Sequence, residues 1–368
     1  MRPLALAGIR SAVVAPPSDV VRWSRFAVAA LPWADPWSEP ERLLEVLAEF
    51  GQEQAAPPVL YYEGDWDLLV VSRERERLRR WFRFVVPDVD LVEDLVDKER
   101  FRALADRLAL PVPASRPLGP DGGDTELRFP VVVKPLTRQN VEWEPLAGRS
   151  KALLVHAPGE LRDLGSRLAE RGVRALAQEA VLGPETRIES YHAYVAADGV
   201  TVGEFTGRKL RTYPAERGFS TALVVSDRDD VLAVGRELVG RMGLRGVAKL
   251  DFKRDDAGRL WLLEVNPRFN LWHHLGARAG VNLPALVYRD LVGLPREQVP
   301  RARPGVRWVY HRHDARAARA AGIPLYRWLP WAFASEAKST ISLDDPMPFL
   351  RGALKQIAGA VRSARQLR

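Results

Sequence analysis

The sequence predicts an α+β protein in which a short α/β unit precedes two regions of antiparallel sheet. Three observations support this class. Short apolar strands alternate with helical segments up to about residue 95. Between residues 187 and 225, apolar and polar side chains alternate with period two around the turn AADG. A second hairpin, VAKLDFKRDDAGRLWLLEVNPR, follows a predicted helix at 230–243.

The first 95 residues are predicted to form a small α/β unit. One helix is expected at 40–50 and a second at 65–83, where Asp65 can act as the N-cap. The segments PPVLYY (57–62) and FRFVVP (82–87) are predicted to be short strands.

The next ninety residues carry the signals of a second unit with its own sheet. A helix begins at Asp97, and the Pro- and Gly-rich segment LPVPASRPLGPDGGD that follows it predicts a hinge. FPVVVK (129–134) is predicted to be a buried strand that ends in lysine, and an irregular loop extends from it to about Ser150. The strand KALLVH, the helix PGELRDLGSRLAERG and the strand VRALAQEAV (173–181) complete the unit.

Composition excludes several classes of protein. There is no cysteine, so disulfides, thiolate metal sites and cysteine nucleophiles are excluded, and we expect a cytoplasmic protein. No apolar run reaches the roughly 18 residues that a membrane-spanning helix needs, and the N-terminus does not read as a signal peptide. The formal net charge is +8, but only eight of the 55 basic residues are lysines. A genomic bias toward arginine explains this charge better than nucleic-acid binding does, and it makes each lysine informative.

Polar side chains on the second hairpin predict a metal site. Centring the turn on DDAG sets Asp251 opposite Glu264 and Lys249 opposite Asn266, and residues two apart share one face of a strand. Carboxylates directly opposite each other lie about 5 Å apart and repel. Mg²⁺ accepts such oxygens and keeps positions for phosphate, while Arg268 would face the same anion. The alternative is an ordinary hairpin whose acids face water.

The order and spacing of these segments resemble the ATP-grasp superfamily of carboxylate–amine ligases. The resemblance is to the branch that includes D-aspartate ligases and the ligase halves of carbamoyl-phosphate synthases, and it covers about residues 95–295. It implies an ATP-grasp fold, in which two antiparallel-sheet subdomains clasp ATP, preceded by a short Rossmann-like α/β domain. Because relatives begin with an earlier strand and turn, we expect either a trimmed N-terminal domain or a translation start upstream of Met1.

The resemblance also implies the binding site for ATP and Mg²⁺ or Mn²⁺. It assigns metal binding to Asp251, Glu264 and Asn266, and catalytic roles to Arg268 and Lys249. Nucleotide-binding residues come from the helix at 97, from the strand ending at 134, from the segment QEAVLGPE and from the loop after 134. These are Lys98, Lys134, Gln178, Glu179, Ala180, Val181, Glu185 and Lys151.

The implied reaction is ATP-dependent ligation. A substrate carboxylate attacks the γ-phosphoryl group of ATP to form an acyl phosphate, and an amine then displaces phosphate. The substrate is expected to be an amino acid, a peptide or a cell-wall precursor. Candidate substrate contacts are Arg187, Lys209, Arg211 and His273, although solvated sheet charges and packing explain these residues equally well. Two adjacent histidines are weak support for a metal site, because neighbours on a strand point to opposite faces.

Four regions follow from this reading. They are an N-terminal α/β domain (1–95), a first ATP-grasp subdomain with the hinge and phosphate loop (96–185), a second subdomain with the metal site (186–295) and a basic Trp- and Arg-rich extension (296–368). The extension ends in an amphipathic basic helix at about 348–366. We expect it to pack against the ligase core, while peripheral association with an anionic membrane remains the alternative.

Two other functions stay open at this point. The chain could bind ATP as a non-catalytic regulatory or scaffold protein. It could also be an Arg-rich nucleic-acid binder, although no recognised nucleic-acid module is present and no nucleic-acid partner is expected. Small-molecule carboxylate and amine substrates are the expected partners, and a homodimer is compatible with the sequence.

Overall fold

A computed structural model of the chain describes residues 1–119, 126–136, 142–148, 150–215 and 217–355. Within them, the N-terminal unit contains two parallel strands with Ser11 opposite Ala27, as expected for a Rossmann-like arrangement. Its helices and strands are α1 (Arg2–Leu6), β1 (Ser11–Val14), β2 (Ala27–Leu31), α2 (Pro40–Gln52), α3 (Asp65–Arg73), α4 (Arg75–Leu78) and α5 (Val89–Val96).

Two predictions for this unit are wrong in detail. The helix expected at 65–83 is two short helices, α3 and α4, which meet at Glu74. The segments expected as strands at 57–62 and 82–87 are linked only by a single parallel bridge between Val59 and Arg83. Strand β2 was not predicted at all.

The second unit is a four-stranded antiparallel sheet with the order β3-β6-β4-β5. Its core is formed by the apolar faces of β4 and β6 and by the helix that packs on them, with Val131, Val133, Leu161 and Ala177 fully buried. The elements are α6 (Lys98–Arg107), β3 (Ser115–Leu118), β4 (Val131–Pro135), α7 (Glu144–Ala147), β5 (Leu153–Val155), α8 (Pro158–Glu170) and β6 (Ala175–Glu179).

The third unit is a seven-stranded sheet with the order β11-β10-β7-β8-β9-β12-β13. Strands β7, β8, β9, β10 and β11 pair antiparallel with their neighbours, as the two predicted hairpins require. The elements are β7 (Ile188–Val195), β8 (Thr201–Tyr213), β9 (Phe219–Ser226), α9 (Asp229–Arg241), β10 (Gly246–Arg254), β11 (Leu260–Asn266), α10 (Trp272–Arg278), α11 (Leu283–Leu291), β12 (Arg307–Val309), α12 (His311–Ala320), α13 (Leu325–Ala334) and β13 (Ala337–Lys338).

Both faces of the large sheet are covered over part of their area. One face packs Tyr191, Leu250 and Phe252 against α9 and the preceding helices. The other face packs Phe205 against Trp272 of α10, and the N-terminal unit joins the same core. Because β10 is buried on both sides from 246 to 252, its sequence is nearly continuous in apolar residues, and the polar exceptions require an explanation.

The C-terminal extension packs back on the large sheet, as expected. Strands β12 and β13 extend the sheet beyond β9, and Trp308 and Ala337 lie in the same core as Phe205. Residues 347–355 are helical, while the rest of the helix predicted at 348–366 lies outside the described residues. In the described ranges no helix has the length and apolarity needed to cross a bilayer.

Candidate nucleotide and metal site

The β10–β11 hairpin brings the predicted acids together. Asp251 lies directly opposite Glu264, and Lys249 lies opposite Asn266, as predicted. Asp251 is only 3% exposed, and its carboxylate accepts hydrogen bonds from Ser190 and from Lys249. The site therefore stabilises a buried carboxylate with a cation and a hydroxyl, which is the compensation that a buried acid needs.

The second acid opens toward solvent and is held by its neighbour on the strand. The Glu264 side chain is exposed, and its Oε1 accepts a hydrogen bond of 3.0 Å from Nδ2 of Asn266. Two carboxylates and an amide oxygen are hard ligands of the kind that Mg²⁺ uses together with substrate phosphates. The described residues hold no cluster of three or more His, Cys, Asp or Glu side chains suited to a metal. Asp251, Glu264 and Asn266 are therefore the side chains on this hairpin whose oxygens could bind such an ion.

Lys134 approaches the acids from the small sheet. It lies near the end of β4, and its Nζ donates a hydrogen bond of 2.9 Å to Oε1 of Gln178 on β6. Burial lowers the pKa of Lys134, and the carboxylates of Glu264 and Glu185 act in the opposite direction. Because Glu264 belongs to the large sheet, Lys134 of the small sheet lies close enough to that carboxylate to interact with it electrostatically.

Lys98 supports the same end of β4. Its Nζ donates to the backbone carbonyl groups of Pro135 and Leu136, the latter at 2.9 Å. This ammonium group therefore reaches from the start of α6 to the small sheet. Two of the lysines selected from the sequence therefore meet at one end of one strand.

The backbone after β6 has a hydrogen-bond acceptor and a hydrogen-bond donor that no protein group satisfies in the described ranges. The N–H of Ala180 donates to the carbonyl of Pro130, but Pro130 has no N–H with which to return a bond to the carbonyl of Ala180. Among the described residues, no donor is found for that carbonyl and no acceptor for the N–H of Val181. An acceptor and a donor about one residue apart match the amino group and ring nitrogen of adenine.

Other residues predicted in this segment have protein partners. The Glu179 carboxylate pairs with Arg128 at 3.0 Å, and its backbone N–H donates to Ala114. Glu185 lies 3.6 Å from the ammonium group of Lys253 on β10. Lys253 was not selected from the sequence. The spacing of two residues that places Lys249 and Asp251 on one face of β10 also places Lys253 there, and this pattern could have revealed it.

Arg268 connects the metal hairpin to the N-terminal unit. Its guanidinium group pairs with Asp65 at the start of α3, donates to the carbonyl of Glu63 at 2.9 Å and donates to Oδ1 of Asn266 at 3.2 Å. The orientation of this arginine is therefore fixed by groups 203 and 205 residues away along the chain. Asp65 was predicted only as a helix cap, and its role here could not be seen from local pattern.

The candidate substrate residues do not share one location. Arg187 pairs with Asp256 at the hairpin turn. Arg211 forms two hydrogen bonds with Asp314 of α12, at 2.8 and 2.7 Å, and its guanidinium group lies over Trp331. This ion pair accounts for the charge of Arg211 without a substrate.

Two further predicted contacts, Lys209 and Lys151, lie on β8 and just before β5. Lys209 is half-buried on β8, on the same face of the large sheet as Ser190 by strand register. The ammonium group of Lys151 lies 3.7 Å from the centre of the Phe219 ring, at the start of β9. The adjoining loop positions 137–141 and 149 lie outside the described residues.

The two adjacent histidines lie on a helix rather than on a strand. His273 and His274 both belong to α10, where neighbouring side chains point about 100° apart, and both are buried. His273 lies 6.0 Å, ring to ring, from His192 of β7, which is 0% exposed and stacks on Phe205. Burial lowers the pKa of His273 to about 3, and Lys249 lowers it further, so the ring is neutral near pH 7.

His192 is a functional candidate that the sequence did not reveal. It lies opposite Lys249 in the sheet, and neither of its ring nitrogens has a hydrogen-bond partner among the described residues. Burial lowers its pKa well below the ordinary value for histidine. A single histidine in an apolar alternating strand gives no local signal, because it is equally compatible with core packing.

Comparison with known proteins agrees with this geometry. The family described as "ATP-grasp in the biosynthetic pathway with Ter operon" matches residues 200–313. The D-aspartate ligase of Enterococcus faecium is 22% identical over 311 residues, which cover 81% of this chain and 72% of the relative. The D-alanine–D-alanine ligase of Halorhodospira halophila is 29% identical over 210 residues, covering 53% of this chain and 66% of the relative.

Solved structures agree on the fold. The ADP complex of an N5-carboxyaminoimidazole ribonucleotide synthetase superposes with a TM-score of 0.62 at 15% identity, over 81% of this chain and 76% of that one. The predicted α+β class with two antiparallel sheets around a cleft is confirmed. Together with the opposed acids of the β10–β11 hairpin, these comparisons show that the chain has an ATP-grasp fold and that its sequence is similar to ATP-grasp carboxylate–amine ligases.

Proposed function

We propose that the chain is an ADP-forming ligase that joins a carboxylic acid to an amine through an acyl phosphate. The substrate carboxylate attacks the γ-phosphorus of ATP, the bond to the β-phosphate oxygen breaks, and ADP leaves. The amine then attacks the acyl carbon, phosphate leaves, and the amine loses a proton. The observation that carries this proposal is the direct pairing of Asp251 and Glu264 across from Lys134.

Five residues of the cleft would bind the phosphates of ATP or the metal ion. Lys134 and Lys98 lie at one end of β4, where their charge can neutralise ATP phosphates. Asp251, Glu264 and Asn266 would hold Mg²⁺, which when bound supplies positive charge to the phosphate oxygens.

Two further residues would act on the phosphoryl group that is transferred. Arg268, oriented by Asp65, would donate to the transferred phosphoryl group with a planar set of N–H groups. Lys249 compensates the charge of Asp251 and would lie next to the developing negative charge. Phosphoryl transfer requires mainly positioning and charge neutralisation, so no nucleophilic side chain is needed.

The carbonyl of Ala180 and the N–H of Val181 support a site for adenine. Both groups lack intramolecular partners among the described residues, at the point where the chain leaves β6. Gln178 holds Lys134 from the same strand, so one short segment would contact both ends of the nucleotide. The pair of Glu185 with Lys253 would border the ribose side of this site.

The substrate class is proposed from the relatives. Ligases named for D-aspartate and for D-alanine suggest an amino acid, a peptide or a cell-wall precursor as one substrate. Neutral, buried His273 and His192 lie beside Lys249, where they could line the pocket for the acceptor. Lys209 is the substrate candidate on β8 whose position agrees best with the cleft.

The test is a screen of amino-acid and peptide pairs for ADP formation, with Glu264→Ala as the inactive variant. Loss of one ligand to the phosphate-bound ion should reduce kcat/KM by about 10²-fold or more. The matched control is Glu237→Ala, an exposed acid on α9 outside the cleft. Equal turnover by Glu264→Ala and the wild type would refute the mechanism. ATP binding without turnover for any pair would favour a regulatory or scaffold role.

We also propose that the extension can touch an anionic membrane surface. On α13 the side chains of Leu325, Tyr326, Leu329 and Phe333 are exposed and apolar, and Arg327 lies among them. Co-sedimentation with vesicles containing anionic lipid, compared with neutral vesicles, tests this association. A homodimer and a cytoplasmic location stay predictions; light scattering during size-exclusion chromatography and cell fractionation would check them.

A further inference from the structure

A small pocket of about 90 Å³ lies between α1, α10 and the segment before the last helix. Its lining includes Arg2, Phe26, His274, Arg278 and Asp344. None of these residues belongs to the nucleotide cleft. The volume corresponds to about three water molecules, which is the scale of a small inorganic anion.

One guanidinium group in the pocket lining has a buried N–H with no hydrogen-bond acceptor in the described ranges. The Nε atom of Arg278 is buried and has no hydrogen-bond partner among the described residues, and its guanidinium group forms no ion pair there within 4.0 Å. Buried N–H groups of a charged side chain are costly to leave unpaired. A ligand that accepts hydrogen bonds would resolve this arrangement.

The second observation concerns the acids beside the pocket. Arg2 lies 3.8 Å from a carboxylate oxygen of Asp344 and 3.8 Å from one of Asp345, which is too far for a hydrogen bond. Asp345 instead accepts hydrogen bonds from Ser24 Oγ at 2.6 Å and from the N–H of Arg25 at 3.0 Å. The two acids therefore balance charge in part, and they leave the donors of Arg2 available.

The third observation is that positive charge accumulates here. Burial lowers the pKa of Lys338, and the charge of Arg278 lowers it further, so these two cations lie near each other. His274 is 7% exposed, and burial with the charges of Arg2 and Arg278 lowers its pKa to about 3. Its neutral ring forms no hydrogen bond among the described residues, and it can donate to an oxyanion.

We propose that this pocket binds a small oxyanion, phosphate or carboxylate, between the guanidinium groups of Arg2 and Arg278. Two guanidinium groups present paired N–H donors that match the oxygens of such an anion. The proposal does not depend on the reaction in the cleft. Helix α10 nevertheless links the two places, because His273 faces Lys249 while His274 and Arg278 line the pocket.

The experiment is calorimetric titration of the full chain with inorganic phosphate at constant ionic strength, without Mg²⁺ or nucleotide. We expect one site, weakened at least about tenfold by Arg278→Gln because a charged donor is lost. The matched control is Arg316→Gln, on an exposed position of α12, which should bind as the wild type does. Acetate in a parallel titration shows whether a carboxylate group is sufficient.

A cleft variant distinguishes the pocket from the nucleotide site. Lys134→Met should keep phosphate binding if the pocket is the site. Binding that is lost in Lys134→Met but kept in Arg278→Gln would overturn the proposal, as would no binding of either anion by the wild type. If Arg278→Gln does not fold, as judged by circular dichroism, Arg2→Gln serves as the second variant, with the same expected loss.

Discussion

The ion pair between Arg211 and Asp314 gives the sharpest prediction for stability. Asp314 is 0% exposed, and its carboxylate accepts four hydrogen bonds: two from Arg211 at 2.8 and 2.7 Å, one from Thr221 at 2.8 Å and one from Trp328 at 2.8 Å. Asp314→Ala would leave a guanidinium group without its counterion beneath the extension. Breaking a buried pair from one side costs about 3–5 kcal/mol. We expect thermal unfolding to shift down by roughly 4–7 °C.

An exposed pair of similar length provides the matched control. Arg296 and Asp198 are 2.6 Å apart, but their side chains are 36% and 52% exposed. Solvent screens this interaction, so Asp198→Ala should change the Tm by no more than about 1 °C. Differential scanning fluorimetry of both variants measures the contrast. Equal shifts for Asp198→Ala and Asp314→Ala would refute the reasoning, because burial would then make no difference.

A double variant separates structure from substrate binding. Replacing both partners with apolar residues, as in Arg211→Met with Asp314→Leu, removes the uncompensated charge and should recover most of the lost stability. If Arg211 is structural, the recovered variant should keep its KM for the acid and the amine. A stable double variant whose KM rises about tenfold would instead show that Arg211 contacts substrate.

Three further predictions can be checked with simple variants. Gly235→Ala places a Cβ atom 2.3 Å from a buried tyrosine ring of β7 and should lower stability by about 1–3 kcal/mol, whereas Gly240→Ala on the same helix meets nothing within 4 Å and should raise it by up to about 1 kcal/mol; the Tm of each tests this. Burial lowers the pKa of His273 and that of His274 to about 3. Below a pH of about 6.5, these histidines are therefore protonated in the unfolded chain but not in the folded chain, which destabilises the folded state. The Tm should therefore fall between pH 7 and pH 4, and an unchanged slope in His274→Gln would count against this cause. Lys98→Met removes the donor to the carbonyls of Pro135 and Leu136 and should raise the KM for ATP about tenfold; an unchanged KM would contradict its role.

The pairing at the metal hairpin could be predicted from sequence because its turn and its alternation are both local. The turn DDAG fixed the approximate centre, and spacing by two put Lys249 and Asp251 on one face. The structure adds a bulge between Asp251 and Phe252, which the pattern did not show. Continuing the pairing of Phe252 with Leu262 without this bulge would set Asp251 opposite Leu263. The extra residue is therefore what brings the second acid opposite the first.

The wrong and missing predictions involve interactions between distant parts of the chain. The segment PPVLYY contains two prolines, which cannot donate to a ladder, and only Val59 forms a bridge there. The segment WHH was read with strand geometry, but Trp272 begins a helix because the chain turns after Asn270. Arg211 looked like a substrate contact because its partner lies 103 residues further on. Local pattern carries no information about such partners.

The short strands of the extension determine how much unpaired backbone the edge of the large sheet exposes to other chains. β13 is only two residues long, so little unpaired backbone remains at that margin of the large sheet. At the opposite margin, the N–H of Leu262 already donates to the carbonyl of Pro111. Removing residues from 307 onward would bare β9, whose sequence FSTALVVS is rich in β-branched residues, and would leave a template on which other chains could assemble. We therefore expect the extension to keep the edge of β9 from pairing with other chains.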